Sequence, residues 1–554
     1  MSSISSKESR PPKAPRRRVL IVGGGASGMA CADQLSSKPD LFDVTLVESS
    51  AYCGGQAFAI SVDPTRFGTS WLNTGVQGGS HVYHHTIHMM AKQNVKPSPI
   101  NLSFSFGKDE KFWTNLFPTG FVREHEDDIK RFRKALETMS KLSWIFGLVP
   151  VKHSLRFFRF SDEFIERMIF PTLSLWFGTG NTTPDVPTSM LIMFYLDPDC
   201  GMWNPIDDKN LSSHQPEMLV FPNMSDFYSR WSRSLQRNNV HIRLNTRLIS
   251  VVRRSRSKGV TVKLVKIRSR SIAHLEEDKE PCESEETFDE IIFCIVADAA
   301  LEALGAQATW IERKVLGGAK FSNDSTVTHC DAAYMKKHYE VEYTPENSAI
   351  RVGEKDMSEK EANAFQPMYF VRHNDEDARK IEMSFNCSQF QHQLKRQNRP
   401  LRDQIFQTVF LNDDHKSSWT KSEIRSGDII RVDEFHQVRH DWRHYLRLPF
   451  LSLCQSHKRH THFAGAWSLV NAHEVAMISG LAASYALGAG YPPELEHDAW
   501  AKKTFEGYLS LAYRQWGKSA KKKKVGPWPR PPLASKSSAS SSKKSSKFSS
   551  TATL

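Results

Sequence analysis

Residues 16–50 read RRRVLIVGGGASGMACADQLSSKPDLFDVTLVESS, and this stretch decides the fold. The run VLIV, residues 19–22, predicts a short buried strand of a parallel sheet. SGMACADQLSS then predicts a helix, and DVTLVE predicts a second strand. Between the first strand and the helix, Gly23, Gly25 and Gly28 form the pattern G-x-G-x-x-G, and Glu48 follows 20 residues beyond Gly28. A unit with this order and spacing predicts dinucleotide binding.

Each of these residue types has a physical reason for its position. Gly23 permits a tight turn, Gly25 lets the backbone approach a pyrophosphate, and Gly28 lets the helix pack close to the strand. The helix N-terminus offers free N–H groups and a partial positive charge to the phosphates. Glu48 can accept hydrogen bonds from a ribose diol.

A second glycine motif favours FAD over a nicotinamide dinucleotide. Six residues after Glu48 comes GGQA, with Gly54, Gly55 and Gln56. An acid followed by a spacer and a glycine pair resembles the flavin-containing amine oxidase superfamily, in which the pair lets the chain turn beneath FAD. The sequence has no second G-x-G-x-x-G after a strand, so we do not expect a separate domain for NADPH.

The resemblance extends in order over roughly residues 18–490, to the branch described as predicted NAD/FAD-binding, amine oxidase-like flavoproteins. NTGVQ (73–77) and VYHHT (82–86) stand where that branch has a flavin loop and a helix start. FDEIIFCIVADAALEAL (288–304) resembles a later strand and helix of the FAD domain. THFAGAWSLVNAHEVAMISG (461–480) resembles the C-terminal flavin strand and the helix that faces the flavin.

The implied fold is α/β: a Rossmann-like FAD-binding domain interleaved with an α+β substrate domain that contains a second, mostly antiparallel sheet. The implied FAD-binding domain is assembled from residues 18–100, 220–310 and 450–500, and the substrate domain from residues 101–219 and 311–449. Residues 1–17 form a basic leader, and residues 517–554 form a Lys/Ser-rich tail that cannot bury apolar area and is expected to be disordered.

The resemblance also implies the residues of the site. Its FAD contacts are Gly23, Gly25, Ala26, Ser27, Gly28, Glu48, Ser49, Gly54, Gly55, Gln56, Thr74, Gly75, Val76, Gln77, Leu248 (against the adenine), Gly465, Ala466, His473, Glu474, Val475 and Ala476. His473 and Glu474 at the flavin-facing helix start, and Gln77 in the flavin loop, are the candidate catalytic residues. A histidine held by structural hydrogen bonds is the alternative for His473.

Three departures from the family pattern surround the flavin position. Asn73 replaces an acid that is common in the flavin loop. SLVNA, residues 468–472, replaces a glycine-rich stretch, so that Leu469, Val470 and Asn471 are bulkier than the pattern. Val475-Ala476 stands where a glycine is usual. These departures concern the space above the flavin ring, and hence the chemistry.

The distribution of charge along the sequence limits which classes of binding partner are expected. Of the net charge of +13, residues 517–554 carry +10 and residues 1–18 carry +5, which leaves −2 for residues 19–516. A basic groove for nucleic acid is therefore not implied. The tail's lysines fit either a solubilising tail, a nuclear-import patch or a contact with an anionic membrane. Scattered cysteines and the lack of a secretory signal favour an intracellular, most simply cytoplasmic, location.

Four histidines, His81, His84, His85 and His88, have the spacing of one helical face and suggest a metal site. If VYHHT begins a helix, however, His81 precedes it, and no carboxylate or cysteine completes a metal shell. We therefore predict no metal.

Three functions remain open. The first and preferred one is an FAD-dependent oxidoreductase that oxidises a small amine or a hydrophobic metabolite by hydride transfer to flavin N5. The second is a lipid or isoprenoid desaturase or isomerase with an apolar tunnel, lined by residues such as Phe146, Trp176 and Phe177. The third is a catalytically decayed flavin-binding protein. An amine predicts acids or an aromatic cage above the flavin, whereas a lipid predicts an apolar tunnel.

Overall fold

The computed structural model describes residues 15–197, 206–207, 211–212, 215–267, 283–349, 362–394 and 399–515. The predicted disordered tail, and the leader up to residue 14, lie outside these ranges. Within them no helix is long and apolar enough to cross a membrane.

A five-stranded parallel sheet forms the centre of the first half of the molecule. In their order across the sheet its strands are His241–Arg243, Phe42–Val47, Arg17–Val22, Glu290–Phe293 and Thr461–Phe463. The middle strands are almost fully buried, because helices cover both faces. The predicted strand, helix and strand of residues 16–50 are confirmed as Arg17–Val22, Ala26–Ser36 and Phe42–Val47.

Two helices cross closely beside the glycine turn. The helix Ala26–Ser36 packs along the helix His473–Ala486, and a Cβ at Gly480 would lie 2.0 Å from the carbonyl oxygen of Ser27. The helix Ala499–Tyr513 joins the same hydrophobic core through Phe505, Leu509 and other side chains. This core therefore continues beyond residue 500, where the predicted FAD-binding segment ends; the domain boundaries themselves stay a prediction.

A seven-stranded sheet forms the centre of the second half. Its strands, in order, are Ile429–Val438, Phe321–His329, Phe406–Phe410, Ile381–Asn386, Tyr369–His373, Phe104–Phe106 and Trp113–Thr114. All neighbours are antiparallel except Tyr369–His373 and Phe104–Phe106. The predicted fold class, a parallel Rossmann-like sheet with a second, mostly antiparallel sheet, is confirmed.

A helical lobe packs against one end of this second sheet. Its helices are Gly120–Glu124, Glu126–Lys141, Ser143–Phe146, Val151–Phe157, Asp162–Phe164, Phe170–Phe177 and Thr188–Leu196. They share a core rich in phenylalanine, in which Phe132, Phe164 and Tyr195 meet edge to face.

Smaller elements connect these parts. One three-stranded sheet is formed by Thr246–Ser255, Gly259–Lys266 and Glu283–Phe288. A two-stranded sheet pairs Ala57–Ser61 with Trp71–Gly75. A second three-stranded sheet is formed by Gly78–Gly79, Glu217–Val220 and Ser98–Asn101. The remaining α-helices include Pro64–Phe67, His84–Lys92, Met224–Arg237, Ala297–Leu304, Trp310–Leu316, Ala332–His338, Cys387–Phe390, Trp442–Arg447 and Leu451–Cys454.

Candidate functional site

A cleft of about 410 Å³ opens at the carboxyl ends of three parallel strands. Gly23, Cys294 and Gly465 follow these strands and line its floor. Ligands of open α/β sheets bind at such an edge, because the loops there leave the strands in diverging directions. The far wall comes from the second sheet, through Phe321, His436, Gln437 and Val438.

The three glycines of the first motif have three different roles. Gly23 has a φ of +104°, and a Cβ there would lie 2.6 Å from the carbonyl oxygen of Cys294. A Cβ at Gly28 would lie 1.9 Å from the carbonyl oxygen of Gly23, so the helix could not pack on the turn. Gly25 has an ordinary φ of −74°, and its nearest neighbour would be the Cα of Gly55 at 3.9 Å. The protein itself therefore does not require glycine at position 25, and the missing side chain leaves the cleft open.

The second glycine motif folds the chain back across the first. The Gly54 amide donates to the carbonyl oxygen of Gly24 at 2.9 Å, and Gly55 has a φ of +60°. Gly75 ends a strand with a φ of +70°, where a Cβ would lie 2.1 Å from the carbonyl oxygen of Gln56. Gly54, Gly55 and Gly75 thereby line the cleft next to the glycine turn.

Glu48 lies at one end of the cleft and already has partners. Its carboxylate accepts hydrogen bonds from the amides of Gly24 and Ser50, each at 2.7 Å. Glu48 therefore lines the cleft and fixes the glycine turn to the end of the second strand, while its contact with a ribose stays a prediction.

His473 and Glu474 begin the helix that points at the other end of the cleft, but both are held by neighbours. The His473 ring contacts the hydroxyls of Tyr228 at 2.6 Å and Thr86 at 3.0 Å, and burial lowers the pKa of His473 to about 4. Glu474 accepts from the amides of His85 and Thr86 and from the ring of His85. Burial raises the pKa of Glu474, but these hydrogen bonds outweigh burial and lower it overall. His473 is thus neutral and fully partnered, while Glu474 does not line the cleft.

The departure at Asn73 has a structural explanation. Its side-chain amide donates to the carbonyl oxygens of Phe221 and Pro222, and its side-chain oxygen accepts from the amide of Met224 at 3.0 Å. Asn73 therefore ties the flavin loop to the start of the helix Met224–Arg237. An ionised acid at this position could not donate the first two hydrogen bonds.

An inner chamber continues from the cleft into the second half of the molecule. Its two lobes, of about 220 and 200 Å³, both share Gly75 and Asn471 with the cleft. The apolar and aromatic part of its wall is formed by Tyr83, Leu175, Trp176, Met218, Tyr369, Met383, Phe385, Val409, Leu411 and Phe435. Of the predicted tunnel residues Trp176 lines the chamber, whereas Phe146 and Phe177 pack in the helical lobe.

The polar part of the chamber wall is a network of amides. The side chain of Gln77 donates to Gln407 at 2.6 Å and accepts from Gln391 at 2.8 Å. Gln391 also pairs with both backbone polar atoms of Asn73, at 2.9 and 3.0 Å. On the opposite side the Asn471 side chain donates to Gln437. Asn471, one of the bulkier residues that replace the family's glycine-rich stretch, thus places a hydrogen-bonding side chain between the cleft and the chamber.

Asp324 is the one carboxyl group among the described residues that line the chamber. It accepts from the amide of Asn412 at 2.7 Å. Burial raises the pKa of Asp324 to about 7, with Asp413 and Glu434 adding to this, and the amide of Asn412 and the charge of Arg439 oppose it. No lysine is among the described residues that line the cleft or the chamber.

The cleft brings together most of the residues predicted to contact the cofactor: Gly23, Gly25, Ala26, Ser27, Glu48, Ser49, Gly54, Gly55, Gln56, Gly75, Val76, Gly465, Ala466, His473 and Ala476. The others do not line it: Gly28 and Thr74 lie beneath the turns, Gln77 faces the chamber, Leu248 is buried in the core, and neither Glu474 nor Val475 reaches the cleft.

Sequence reasoning missed the part of the wall that other segments supply. Ile295 and Val296 follow the strand Glu290–Phe293, and the switch-point rule for parallel sheets could have identified them. His436, Gln437 and Val438 end a strand of the second sheet, and no local motif marks them.

The four histidines are not brought together as one face. His84 and His85 lie in the first turn of the helix His84–Lys92, and His81 precedes it, as predicted. His84 pairs with Asp498 and His85 with Glu474. Among the described residues, no group of three or more His, Cys, Asp or Glu could hold a metal ion.

A family model described as an NAD(P)-binding Rossmann-like domain matches residues 21–92, which include both glycine motifs and the helix start. No curated protein matches the chain by sequence.

Solved structures match over nearly the whole described fold. A triple mutant of putrescine oxidase has a TM-score of 0.54 at 11% identity, covering 85% of this chain and 98% of that chain. Cyclohexylamine oxidase from Brevibacterium oxydans IH-35A has a TM-score of 0.51 at 13% identity, covering 85% and 99%. A CLA-producing fatty acid isomerase from P. acnes has a TM-score of 0.50 at 14% identity, covering 84% and 97%.

At these identities the matches establish the fold. The chain shares its fold with these two amine oxidases and with the fatty acid isomerase, and the fold that the resemblance implied is confirmed.

Proposed function

We propose that the chain is an FAD-dependent oxidoreductase whose substrate is a hydrophobic metabolite without a positive charge. The observation that carries this proposal is the continuity of the two spaces. The cleft starts at Glu48, passes Gly25 and reaches the helix start at His473, where it shares Gly75 and Asn471 with the inner chamber. A dinucleotide that begins at Glu48 thus has its other end beside a space for a second molecule.

The residues present fit FAD. A Cβ at Gly25 would occupy the open cleft beside the N-terminus of the helix Ala26–Ser36, where phosphates are favoured. Glu48 and Ser49 would hold the ribose end, and Gly465, Ala466 and Ala476 would lie along the remainder. FAD supplies two-electron redox chemistry when it is bound.

The chamber's own side chains favour an uncharged substrate. A buried cation is stabilised mainly by a nearby anion, and less strongly by aromatic faces such as those of Trp176 and Tyr369. Asp324, the one carboxyl among the described residues of the chamber wall, has its pKa raised to about 7, so a large part of it is neutral at neutral pH. Gln77 and Asn471 are dipoles that can orient a carbonyl or hydroxyl group, while Trp176 and Phe385 offer apolar surface beside them.

The test begins with the purified chain and its absorbance in the flavin bands. A yellow protein that releases FAD on denaturation supports the proposal, and a colourless protein that takes up no FAD overturns it. Anaerobic bleaching of the flavin against panels of amines and of uncharged apolar donors then tests the substrate class. Bleaching by amines alone would overturn the substrate class and keep the oxidoreductase. A flavin that no donor reduces, although dithionite reduces it, would indicate the decayed alternative.

A further inference from the structure

One surface of the helical lobe exposes apolar side chains. Trp144 is 82% exposed and Phe157 is 71% exposed, although both are large and aromatic. Ile145 and Leu148 are each 46% exposed, and Leu142 is 36% exposed. Single exposed apolar residues are ordinary, but a contiguous apolar patch marks a binding surface.

These residues belong to one compact surface. Leu142 accepts a hydrogen bond from the amide of Ile145 at 2.9 Å, so the turn around the short helix Ser143–Phe146 holds them together. Phe146, the buried end of that helix, has its ring 5.6 Å from the ring of Phe157 on the next helix. Phe146 therefore joins the two exposed segments from beneath. We call the exposed residues Leu142, Trp144, Ile145, Leu148 and Phe157 the apolar lip.

The charge around the apolar lip has one sign along the chain. Residues 141–159 contain Lys141, Lys152, Arg156 and Arg159 and no Asp or Glu. Lys152 and Arg156 are paired with Asp185 and Asp162, at 2.7 and 2.9 Å. Lys141 and Arg159 are exposed and have no ion pair among the residues that the structure describes.

We infer that the apolar lip docks the protein on a membrane surface that contains anionic lipid. Tryptophan and other apolar side chains are favoured at the level of the lipid headgroups, and flanking lysines and arginines are attracted to anionic lipid. Both features occur here on the same short stretch, in a body that is otherwise close to neutral. The inference does not depend on the proposed redox function.

The primary test is flotation of the full-length protein with vesicles made of phosphatidylcholine and phosphatidylserine in equal parts. The wild type is expected to float with these vesicles and less with pure phosphatidylcholine. The variant Trp144→Gln/Phe157→Gln is expected to bind roughly tenfold or more weakly, because it removes the two most exposed aromatic anchors. The matched control is Trp310→Gln, which removes a 72% exposed tryptophan on a different helix and is expected to bind like the wild type.

The salt dependence of binding distinguishes the contribution of the basic tail from that of the apolar lip. Attraction through lysines alone is screened at high ionic strength, whereas insertion of apolar side chains is not. The wild type is therefore expected to retain part of its binding in high salt and the double variant to lose it. Equal binding by both proteins at every salt concentration would overturn the inference, and so would equal losses in the double variant and in Trp310→Gln.

Two further measurements test the geometry directly. Quenching of tryptophan fluorescence by vesicles of brominated phospholipid is expected to fall in Trp144→Phe, which keeps an aromatic anchor and hence the binding. Unchanged quenching would overturn the inference.

Light scattering tests whether a second copy of the chain, and not a membrane, covers the apolar lip. A wild-type dimer that becomes monomeric in Trp144→Gln/Phe157→Gln would make the lip a contact between copies of the chain and would overturn the inference.

Discussion

The cleft and the inner chamber adjoin each other, yet they are built in different ways. The cleft is shaped by backbone: glycines at positive φ or without room for a Cβ form its walls, and helix termini point into it. The chamber is shaped by side chains, in which Gln77, Gln391 and Gln407 join a loop, the end of the short helix Cys387–Phe390 and a strand. A site shaped by the backbone can be recognised from a short sequence motif. The residues of a side-chain network come from distant parts of the sequence.

The largest expected effect is on FAD retention, and it distinguishes Gly25 from Gly28 of the same motif. Gly25→Val keeps an allowed φ, and its Cβ meets no protein atom closer than the Gly55 Cα at 3.9 Å, so we expect a folded protein that retains FAD at least hundredfold more weakly, or about 2.8 kcal/mol. Gly28→Ala places a Cβ against the Gly23 carbonyl and is expected to impair folding itself. Flavin content and circular dichroism distinguish the two results. Gly120→Val, at a position with open space, is the control; full flavin in Gly25→Val would mean that the wrong loop has been identified.

The contrast between the backbone-shaped cleft and the side-chain-shaped chamber explains how much of the site could be predicted from the sequence. Gly23, Gly25 and Glu48 form a local pattern whose geometry follows from steric rules, so their places in the cleft were predictable. His473 was placed correctly at a helix start but its partners were not, because Tyr228 and Thr86 come from distant segments. Local sequence carries no information about which side chains a distant strand or helix will bring to a histidine.

The next expected effect concerns the buried pair that holds the helix His473–Ala486. Glu474→Gln removes the charge that accepts from His85 and Thr86, and we expect about 2.5 kcal/mol of lost stability at neutral pH. The pKa of Glu474 is lowered in the folded state, so its contribution is present above the unfolded pKa and is lost as the pH falls through the folded pKa. Urea unfolding at several pH values measures this. A variant as stable as the wild type at neutral pH would show that the pair is not structural.

A smaller effect of opposite sign is expected at Asp324 in the chamber. Its pKa is raised to about 7 in the folded state, so the folded protein loses stability as the pH rises from the unfolded pKa to about 7, and the loss levels off above that. Asp324→Asn keeps an oxygen to accept from Asn412 and cannot ionise. We expect it to gain about 2 kcal/mol relative to the wild type between pH 5 and pH 8. A stability difference that does not change with pH would contradict the neutral chamber on which the substrate class rests.

The smallest expected effect tests the amide network itself. Gln77→Ala removes one neutral hydrogen bond to Gln407 and one from Gln391, and because the chamber beside them can admit water we expect only about 1 kcal/mol of lost stability. Flavin content is expected to stay at the wild-type level, since Gln77 faces the chamber and not the cleft. If Gln77 orients the substrate, KM for the donor that bleaches the flavin rises; if it takes part in the chemical step, kcat falls instead. Loss of flavin from Gln77→Ala would remove the distinction between the two spaces, because a side chain of the chamber would then be holding the cofactor.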